Sequence, residues 1–171
     1  MKKKSARSQG FSLIELLIVV AIILIIAAIA IPDLMKSRQA ANQASAVGSL
    51  RTINTAEVTY ASTYNTGYSR SLDLLGPGPV TGPSAAGLID NVLASGSKSG
   101  YSFHYVSCPS PPGADSGSMA NGSCTIVITY QAVGNPNGGV GTGIFYYTDA
   151  SGVIRQNTST NASPSDPPLA G

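Results

Sequence analysis

A run of 16 consecutive apolar residues, Leu16 to Ile31, constrains this chain more than any other part of its sequence. Between Phe11 and Ile31, Ser12 and Glu15 carry the only polar side chains. As a helix, this segment of 21 residues extends about 31 Å, which matches the hydrocarbon thickness of a bilayer. The segment therefore predicts a transmembrane helix at residues 11–31.

Four basic side chains precede the apolar segment and predict its orientation. Lys2, Lys3, Lys4 and Arg7 favour a cytoplasmic start and an exported remainder. A secretory signal peptide is disfavoured, because the apolar run exceeds the usual h-region of about 7–15 residues and no A-x-A-like site followed by a loop comes after it. We expect a single-pass membrane protein with an exported carboxy terminus.

Glu15 is the feature that a simple membrane anchor does not explain. A carboxylate inside a spanning helix costs roughly 2.5–3.5 kcal/mol on insertion scales, and such groups usually face a partner. The apolar run contains no cation that could pair with this carboxylate. The partner of Glu15 must therefore come from elsewhere.

The stretch from Gly10 to Leu17, GFSLIELL, resembles the processing and assembly signal of type IV pilins. The resemblance implies that residues 1–10 are a basic leader, which a prepilin peptidase removes at the cytoplasmic face. It implies cleavage between Gly10 and Phe11, methylation of the new amino terminus at Phe11, and a role in assembly for Glu15, the fifth mature residue. Pro32 stands where many members have a helix-bending proline.

Coulomb attraction gives Glu15 a physical role in such an assembly. Cleavage leaves an ammonium group on Phe11, and in a stack of identical helices the Glu15 of one subunit can meet the Phe11 amine of its neighbour. At about 4 Å and an effective dielectric constant near 20, this attraction is about 4 kcal/mol before desolvation. Apolar packing between the helices supplies most of the remaining cohesion.

The predicted helix continues beyond the membrane to Tyr64. One face carries a broad apolar stripe, and threonines and serines lie on the other. The stripe consists of Ala46, Val47, Leu50, Ile53, Val58, Tyr60, Ala61 and Tyr64. Pro32 removes one hydrogen bond and clashes with the preceding turn. We expect a kink there at the membrane surface, or local melting on assembly, as the resemblance implies for filaments.

From residue 65 the pattern changes to short strands and turns, and we call residues 65–171 the headpiece. The prediction is an α+β fold in which a long amino-terminal α-helix packs on a small antiparallel β-sheet. The four predicted strands are Tyr101–Ser107, Cys124–Val133, Ile144–Thr148 and Gly152–Arg155. Helical turns are predicted at Ser71–Leu75 and around Leu88–Asp90, and a flexible or extended tail at 161–171.

Cys108 and Cys124 enclose a loop rich in Pro, Ser and Gly between two predicted strands. An exported headpiece faces an oxidising compartment, which favours a disulfide between these two cysteines. Closing a loop of 15 intervening residues stabilises the fold by about 3 kcal/mol in the chain-entropy account. The predicted disulfide encloses a loop between two predicted strands, and two further predicted strands follow it in the chain.

Three sequons are candidate glycosylation sites: Asn121, Asn157 and Asn161. Matches of three residues arise readily by chance in a chain so rich in Ser and Asn. Glycosylation is therefore the weakest of the site predictions.

The residues that enzymes and metal centres need are scarce in this chain. His104 is the single histidine and lies in a predicted strand, so we expect a structural or surface role. Two cysteines and one histidine argue against a zinc or iron–sulfur centre, and a lone histidine is no basis for arguing a Ser-His-Asp arrangement. We predict no enzymatic activity, no cofactor, no metal and no small-molecule substrate.

The net charge of the chain changes when the leader is removed. The whole sequence has ten Lys and Arg against eight Asp and Glu, but four of the cations lie in the leader. The mature chain therefore carries six cations against eight anions, a net charge of −2. Nucleic-acid binding through a basic surface is not predicted.

These features predict the structural subunit of a type IV pilus, which polymerises through its amino-terminal helix into an extracellular filament. The roles that the family implies are adhesion, twitching motility and DNA uptake. The expected partners are further copies of the chain, the prepilin peptidase, the inner-membrane assembly platform, and the membrane before assembly.

Three alternatives remain open from the sequence. The first is a pseudopilin of a type II secretion system, although the major pseudopilins usually carry a calcium-binding loop that this sequence lacks. The second is a minor pilin that primes a filament. The third is an uncleaved, membrane-anchored periplasmic binding module, for which Glu15→Ala would leave function intact.

Overall fold

A computed structural model describes residues 11–107, 130–137, 143–159 and 161–169. The elements are α1 (Leu13–Tyr64), a 3₁₀ turn (Leu72–Leu75), α2 (Asn91–Ala94), β1 (Ser97–Lys98), β2 (Tyr101–Ser107), β3 (Tyr130–Pro136), β4 (Phe145–Asp149) and β5 (Arg155–Asn157). The α+β prediction of one long helix with a small antiparallel sheet is confirmed. The chain divides into two compact units, Met1–Gln39 and Ala40–Gly171.

The described part of the first unit is almost entirely the beginning of α1. An 18-residue window of this helix has a mean hydropathy of 3.3, and none of the window is buried. Within the described ranges, α1 is the one helix long and apolar enough to cross a membrane. The helix runs through Pro32 without ending, and local melting on assembly stays a prediction.

In the second unit, α1 buries one stripe of side chains. Its buried residues are Ala46, Ser49, Leu50, Ile53, Ala56, Glu57 and Tyr60. They share one core with Leu75, Leu93, Tyr101, Phe103 and Tyr146 of the headpiece, among others. Burying one Leu or Ile side chain stabilises the fold by about 1.5–3 kcal/mol, so this stripe holds the headpiece on the helix.

Val58 does not lie on the buried stripe, contrary to the sequence prediction, because its side chain is 61% exposed. At 100° per residue the buried helix positions all lie within about 60° of Ile53, whereas Val58 lies about 140° away. The predicted stripe was therefore too broad on this side.

The five strands form an antiparallel meander in chain order, β1-β2-β3-β4-β5. Strands β2 and β3 pair along their whole length, from Tyr101 opposite Pro136 to Ser107 opposite Tyr130. Strand β4 is buried on both faces, since Tyr146 belongs to the core on α1 and Tyr147 belongs to a second cluster. This pattern matches the alternation of side chains along a strand.

The sheet differs from the predicted one at both edges. Strand β1 was not predicted, because two residues carry no alternation that a sequence pattern could detect. Its turn to β2 uses Ser99 and Gly100, whose φ angles are 51° and 75°, which favours a tight hairpin. Strand β5 begins at Arg155 instead of Gly152, because Gly152 has a φ of 74° and belongs to the turn after β4.

The two short helical segments were predicted with different success. The 3₁₀ turn Leu72–Leu75 lies inside the predicted segment Ser71–Leu75, although the Ser71 side chain makes no capping bond. Helix α2 begins after Asp90 instead of including it, because the Asp90 side chain accepts a hydrogen bond from the Leu93 amide at 2.9 Å. This is the bond of an N-cap residue.

Residues 161–169 lie against the sheet, where composition had predicted a flexible or extended tail. Ala162 is buried in a cluster with Phe145 and Tyr147. The Leu169 amide donates to the Ile154 carbonyl at 2.7 Å. Prolines and serines dominate the segment, so its sequence shows no periodic apolar pattern that would have indicated these contacts.

Two substitutions on α1 test the position of the buried stripe. We expect Leu50→Ala to lower the free energy of unfolding by about 2–5 kcal/mol, because it removes a fully buried side chain and leaves a cavity. Val58→Ala, its matched control, should change stability by less than about 0.5 kcal/mol. Urea unfolding of the full chain in detergent, followed by near-ultraviolet circular dichroism, measures both, and equal effects would contradict the placement of the stripe.

Alkaline pH tests the burial of the tyrosines in the sheet. Desolvation raises the pKa of Tyr101 from its ordinary 10.0 to about 12. Between these two values the unfolded chain loses the phenol proton while the folded chain keeps it, so stability should fall as pH rises from about 10 to about 12. The free energy of unfolding, measured between these pH values, should decrease as pH rises, and Tyr101→Phe should make this decrease less steep. An equally steep decrease in both proteins would be evidence against the burial of Tyr101 as its cause.

Candidate functional site

The predicted assembly residues lie at the amino-terminal end of α1. The Ser12 carbonyl accepts the first helical hydrogen bond, from the Leu16 amide at 3.2 Å, so Phe11 precedes the helix. Glu15 lies in the first turn and is exposed, where the helix dipole stabilises a carboxylate by about 0.3–1 kcal/mol. Gly10 lies outside the described residues. Phe11 and Glu15 are thus placed at the same end of one helix.

The apolar side chains around Glu15 are uncovered in the described chain. Phe11 is 79% exposed and Leu13 is 81% exposed, and the large apolar side chains from Ile14 to Ile31 are all exposed. Water does not tolerate a continuous apolar surface of this size, so lipid or other helices must cover it. The site is therefore a surface for burial against other apolar groups, with one carboxylate near its end.

Residues 5–31 match the family description "Prokaryotic N-terminal methylation motif". A stretch of 56 residues is 48% identical to the type IV major pilin protein PilA of Myxococcus xanthus (strain DK1622). Both findings support the resemblance to type IV pilins. The match covers 33% of this chain and spans only 26% of the length of that pilin. No solved structure matches the chain significantly.

The chain buries a carboxylate, Glu57, that the sequence reasoning missed. Its side chain is fully buried on the helix stripe. One carboxylate oxygen, Oε2, accepts from the Ser69 amide at 2.8 Å. The other, Oε1, accepts from the Ser69 hydroxyl and from the Tyr105 hydroxyl, each at 2.5 Å. The carboxylate thus ties α1 to the loop that follows it and to β2.

The spacing of Glu57 could have revealed its burial. It lies four residues after Ile53 and three before Tyr60, and side chains at these spacings share one helix face. A charged residue on an apolar stripe is expected to be paired or hydrogen-bonded. The sequence gives no signal for its partners, because Ser69 lies in a loop and Tyr105 lies in a strand 48 residues further along the chain.

The two described sequons differ in the environment of their asparagines. The Asn157 amide nitrogen donates to the Asp166 carboxylate at 3.0 Å, and its carbonyl oxygen accepts from the Ser159 amide at 2.9 Å. Asn161 is exposed. A glycan at Asn157 would disrupt this hydrogen bonding, so the structure favours Asn161 of the two. Asn121, like Cys108 and Cys124, lies outside the described residues.

No group of three or more His, Cys, Asp or Glu side chains that could hold a metal ion occurs among the described residues, and His104 is exposed on β2. A groove of about 310 Å³ runs beside α1 and is lined by Arg51, Thr52, Thr55, Ala56, Thr59 and Leu88. Its threonine hydroxyls donate to helix carbonyls one turn earlier, at 2.8–3.0 Å. The groove therefore offers one cation and no cluster of catalytic groups.

Replacement of the buried Glu57 carboxylate tests its structural role in the headpiece. Glu57→Gln keeps the shape of the side chain but turns an amide towards donors that need an acceptor. We expect a loss of about 1–3 kcal/mol in the free energy of unfolding, because buried polar groups are left unsatisfied.

The matched control is Asp73→Asn, since Asp73 is an exposed acid on the 3₁₀ turn. This change should alter stability by less than about 0.5 kcal/mol. Urea unfolding of the three proteins measures the difference. A Glu57→Gln variant as stable as Asp73→Asn would show that the buried bonds do not hold the headpiece.

Proposed function

We propose that this chain is the precursor of a structural subunit that polymerises through α1 into an extracellular type IV pilus. The carrying observation is the uncovered apolar surface of α1 with Glu15 in its first turn. A simple membrane anchor does not need a carboxylate at this position. In a helix that leaves lipid for a bundle of identical helices, the carboxylate can pair with a cation of a neighbouring subunit.

Processing comes first in the proposed sequence of events. Prepilin peptidase cleaves between Gly10 and Phe11 and methylates the Phe11 amine. Because α1 begins at Leu13, the new amino terminus is not tied into the helix. The basic leader is removed in the same step, so the electrostatic hold on the cytoplasmic face is weakened.

Assembly then pairs opposite charges on neighbouring subunits. The ammonium of Phe11 and the carboxylate of Glu15 attract each other at the membrane, and the growing filament covers the apolar helix surfaces that lipid had covered before. The charge pair guides each new subunit to the base, and apolar contact supplies the cohesion. The inner-membrane assembly platform is the expected partner in this step.

A pilus is favoured over a secretion pseudopilus by the matched relative, which is named a type IV major pilin. We therefore assign the chain to the subunit that makes up the filament shaft and not to a minor subunit. The chain is proposed to lie in the inner membrane before assembly, with its headpiece in the periplasm, and in the extracellular pilus afterwards. The Cys108–Cys124 disulfide and glycosylation remain predictions for the exported headpiece.

Neutralising Glu15 tests the proposal. We expect Glu15→Gln to leave cleavage at Gly10 and headpiece folding intact but to lower the yield of sheared filaments about tenfold or more. The substitution removes the attraction between the Glu15 carboxylate and the Phe11 ammonium, and each loss of about 1.4 kcal/mol of attraction corresponds to a factor of ten. Immunoblotting of the sheared and membrane fractions measures the yield and the cleavage together.

Ser12→Ala is the matched control, since Ser12 is the other polar side chain of the apolar segment. It should leave filament yield unchanged. Unchanged yield in Glu15→Gln would contradict the role of the carboxylate. Wild-type chain that stays uncleaved in the membrane would favour the anchored binding module instead.

A further inference from the structure

Strand β5 is the last strand of the described sheet, and its outer edge is occupied by the tail of the same chain. The Gln156 amide donates to the Pro167 carbonyl at 3.2 Å, and the Leu169 amide donates to the Ile154 carbonyl at 2.7 Å. Between these two bonds, Arg155 and Pro168 lie opposite each other in an antiparallel bridge. The tail therefore satisfies the outward donor and acceptor of the strand edge.

Asp166 fastens this tail through both its backbone and its side chain. The Asp166 carbonyl accepts from Arg155 Nη1 at 2.8 Å, and its carboxylate accepts from Asn157 Nδ2 at 3.0 Å. The Ser163 amide donates to the same carboxylate at 2.7 Å and lowers its pKa below the ordinary 3.8. Asp166 thus joins the tail to two of the three residues of β5, to Arg155 through its carbonyl and to Asn157 through its charged carboxylate.

The apolar contacts of the tail are separate from the main core. Ala162 packs with Phe145 and Tyr147 in a cluster of its own, on the face of β4 opposite to the one that Tyr146 buries. Leu169 is partly buried against the main core. Loss of the tail would therefore uncover a small apolar patch beside the open edge.

Proline makes the outer side of the tail unsuitable for further pairing. Residues 167 and 169 bond to β5, so in an antiparallel arrangement the N–H of residue 168 would point away from the sheet. That residue is Pro168, which has no N–H to donate. Sheet edges with free donors and acceptors pair with other chains, and proline is one of the features that prevents this.

We propose that residues 161–169 form a strand cap, which keeps the edge of β5 from pairing with the same edge of a second copy of this chain. The cap is part of the fold but separable from it, because its contacts are local to β4 and β5 apart from Leu169. In a pilus, and this consequence rests on the proposed function, many subunits would otherwise offer an open edge to neighbouring filaments.

The test compares the full chain in detergent with a chain truncated after Ser159. We expect the truncated chain to self-associate at concentrations about tenfold lower or more, because it exposes a donor, an acceptor and an apolar patch. Sedimentation velocity measures the association. The full chain is the reference, because both chains contain α1 and only the difference between them reports on the strand edge. A synthetic peptide of residues 161–171, added in excess, should restore the behaviour of the full chain.

Substitution of one edge residue distinguishes edge pairing from nonspecific association. In the truncated chain, Gln156→Pro removes the outward N–H and should abolish the extra association, whereas the control Gln156→Ala should retain it. Truncated chain that associates no more than the full chain would overturn the proposal. So would extra association that Gln156→Pro leaves unchanged.

Hydrogen exchange of the intact chain keeps the proposal testable if truncation unfolds the headpiece. The amides of Gln156 and Leu169 should exchange at least about tenfold faster than the most protected amides of β4, because a separable cap opens without global unfolding. If the amides of Gln156 and Leu169 exchanged only through global unfolding, like those of β4, the tail would be an integral strand and the proposal would be wrong. The detergent experiments do not depend on filaments, so failure of the cap and failure of the pilus assignment give different results.

Discussion

The apolar surface of α1 from Leu13 to Ile31 has no partner within the described chain, and this constraint governs the rest of the molecule. None of the most apolar window is buried, so the segment is stable only in lipid or against other helices. Further along, the same helix carries a narrow buried stripe centred near Ile53 that holds the sheet. The two ends of one helix therefore differ, because the amino-terminal end is uncovered in the described chain and the carboxy-terminal end is buried against the headpiece.

Two carboxylates on this helix illustrate the two kinds of burial. Glu57 is surrounded by donors of its own chain, from Ser69 and Tyr105, and is satisfied as soon as the headpiece folds. Glu15 is exposed among apolar side chains, and in the proposed assembly its partner is the Phe11 ammonium of another copy. A buried carboxylate is stabilising only when it is paired or hydrogen-bonded. The first therefore favours folding of one subunit, and the second favours the meeting of two.

The sequence predicted those features that depend on local pattern. The apolar run, the long helix, the α+β fold and strands β2 and β4 follow from periodicity, and GFSLIELL carries the resemblance to type IV pilins. Features that depend on distant contacts were not predicted. Strand β1 exists because β2 pairs with it, and the tail docks because Asp166 finds donors on β5. Val58 was misplaced because a stripe drawn from composition is broader than the surface that the sheet can cover.

Processing at Phe11, followed by assembly into filaments, is the function that we propose for this chain. Peptide mass spectrometry of the filament fraction sheared from cells tests it most directly. We expect this chain to dominate the fraction and its amino-terminal peptide to begin at a methylated Phe11. A chain that still begins at Met1 and remains in the membrane fraction would contradict both processing and assembly.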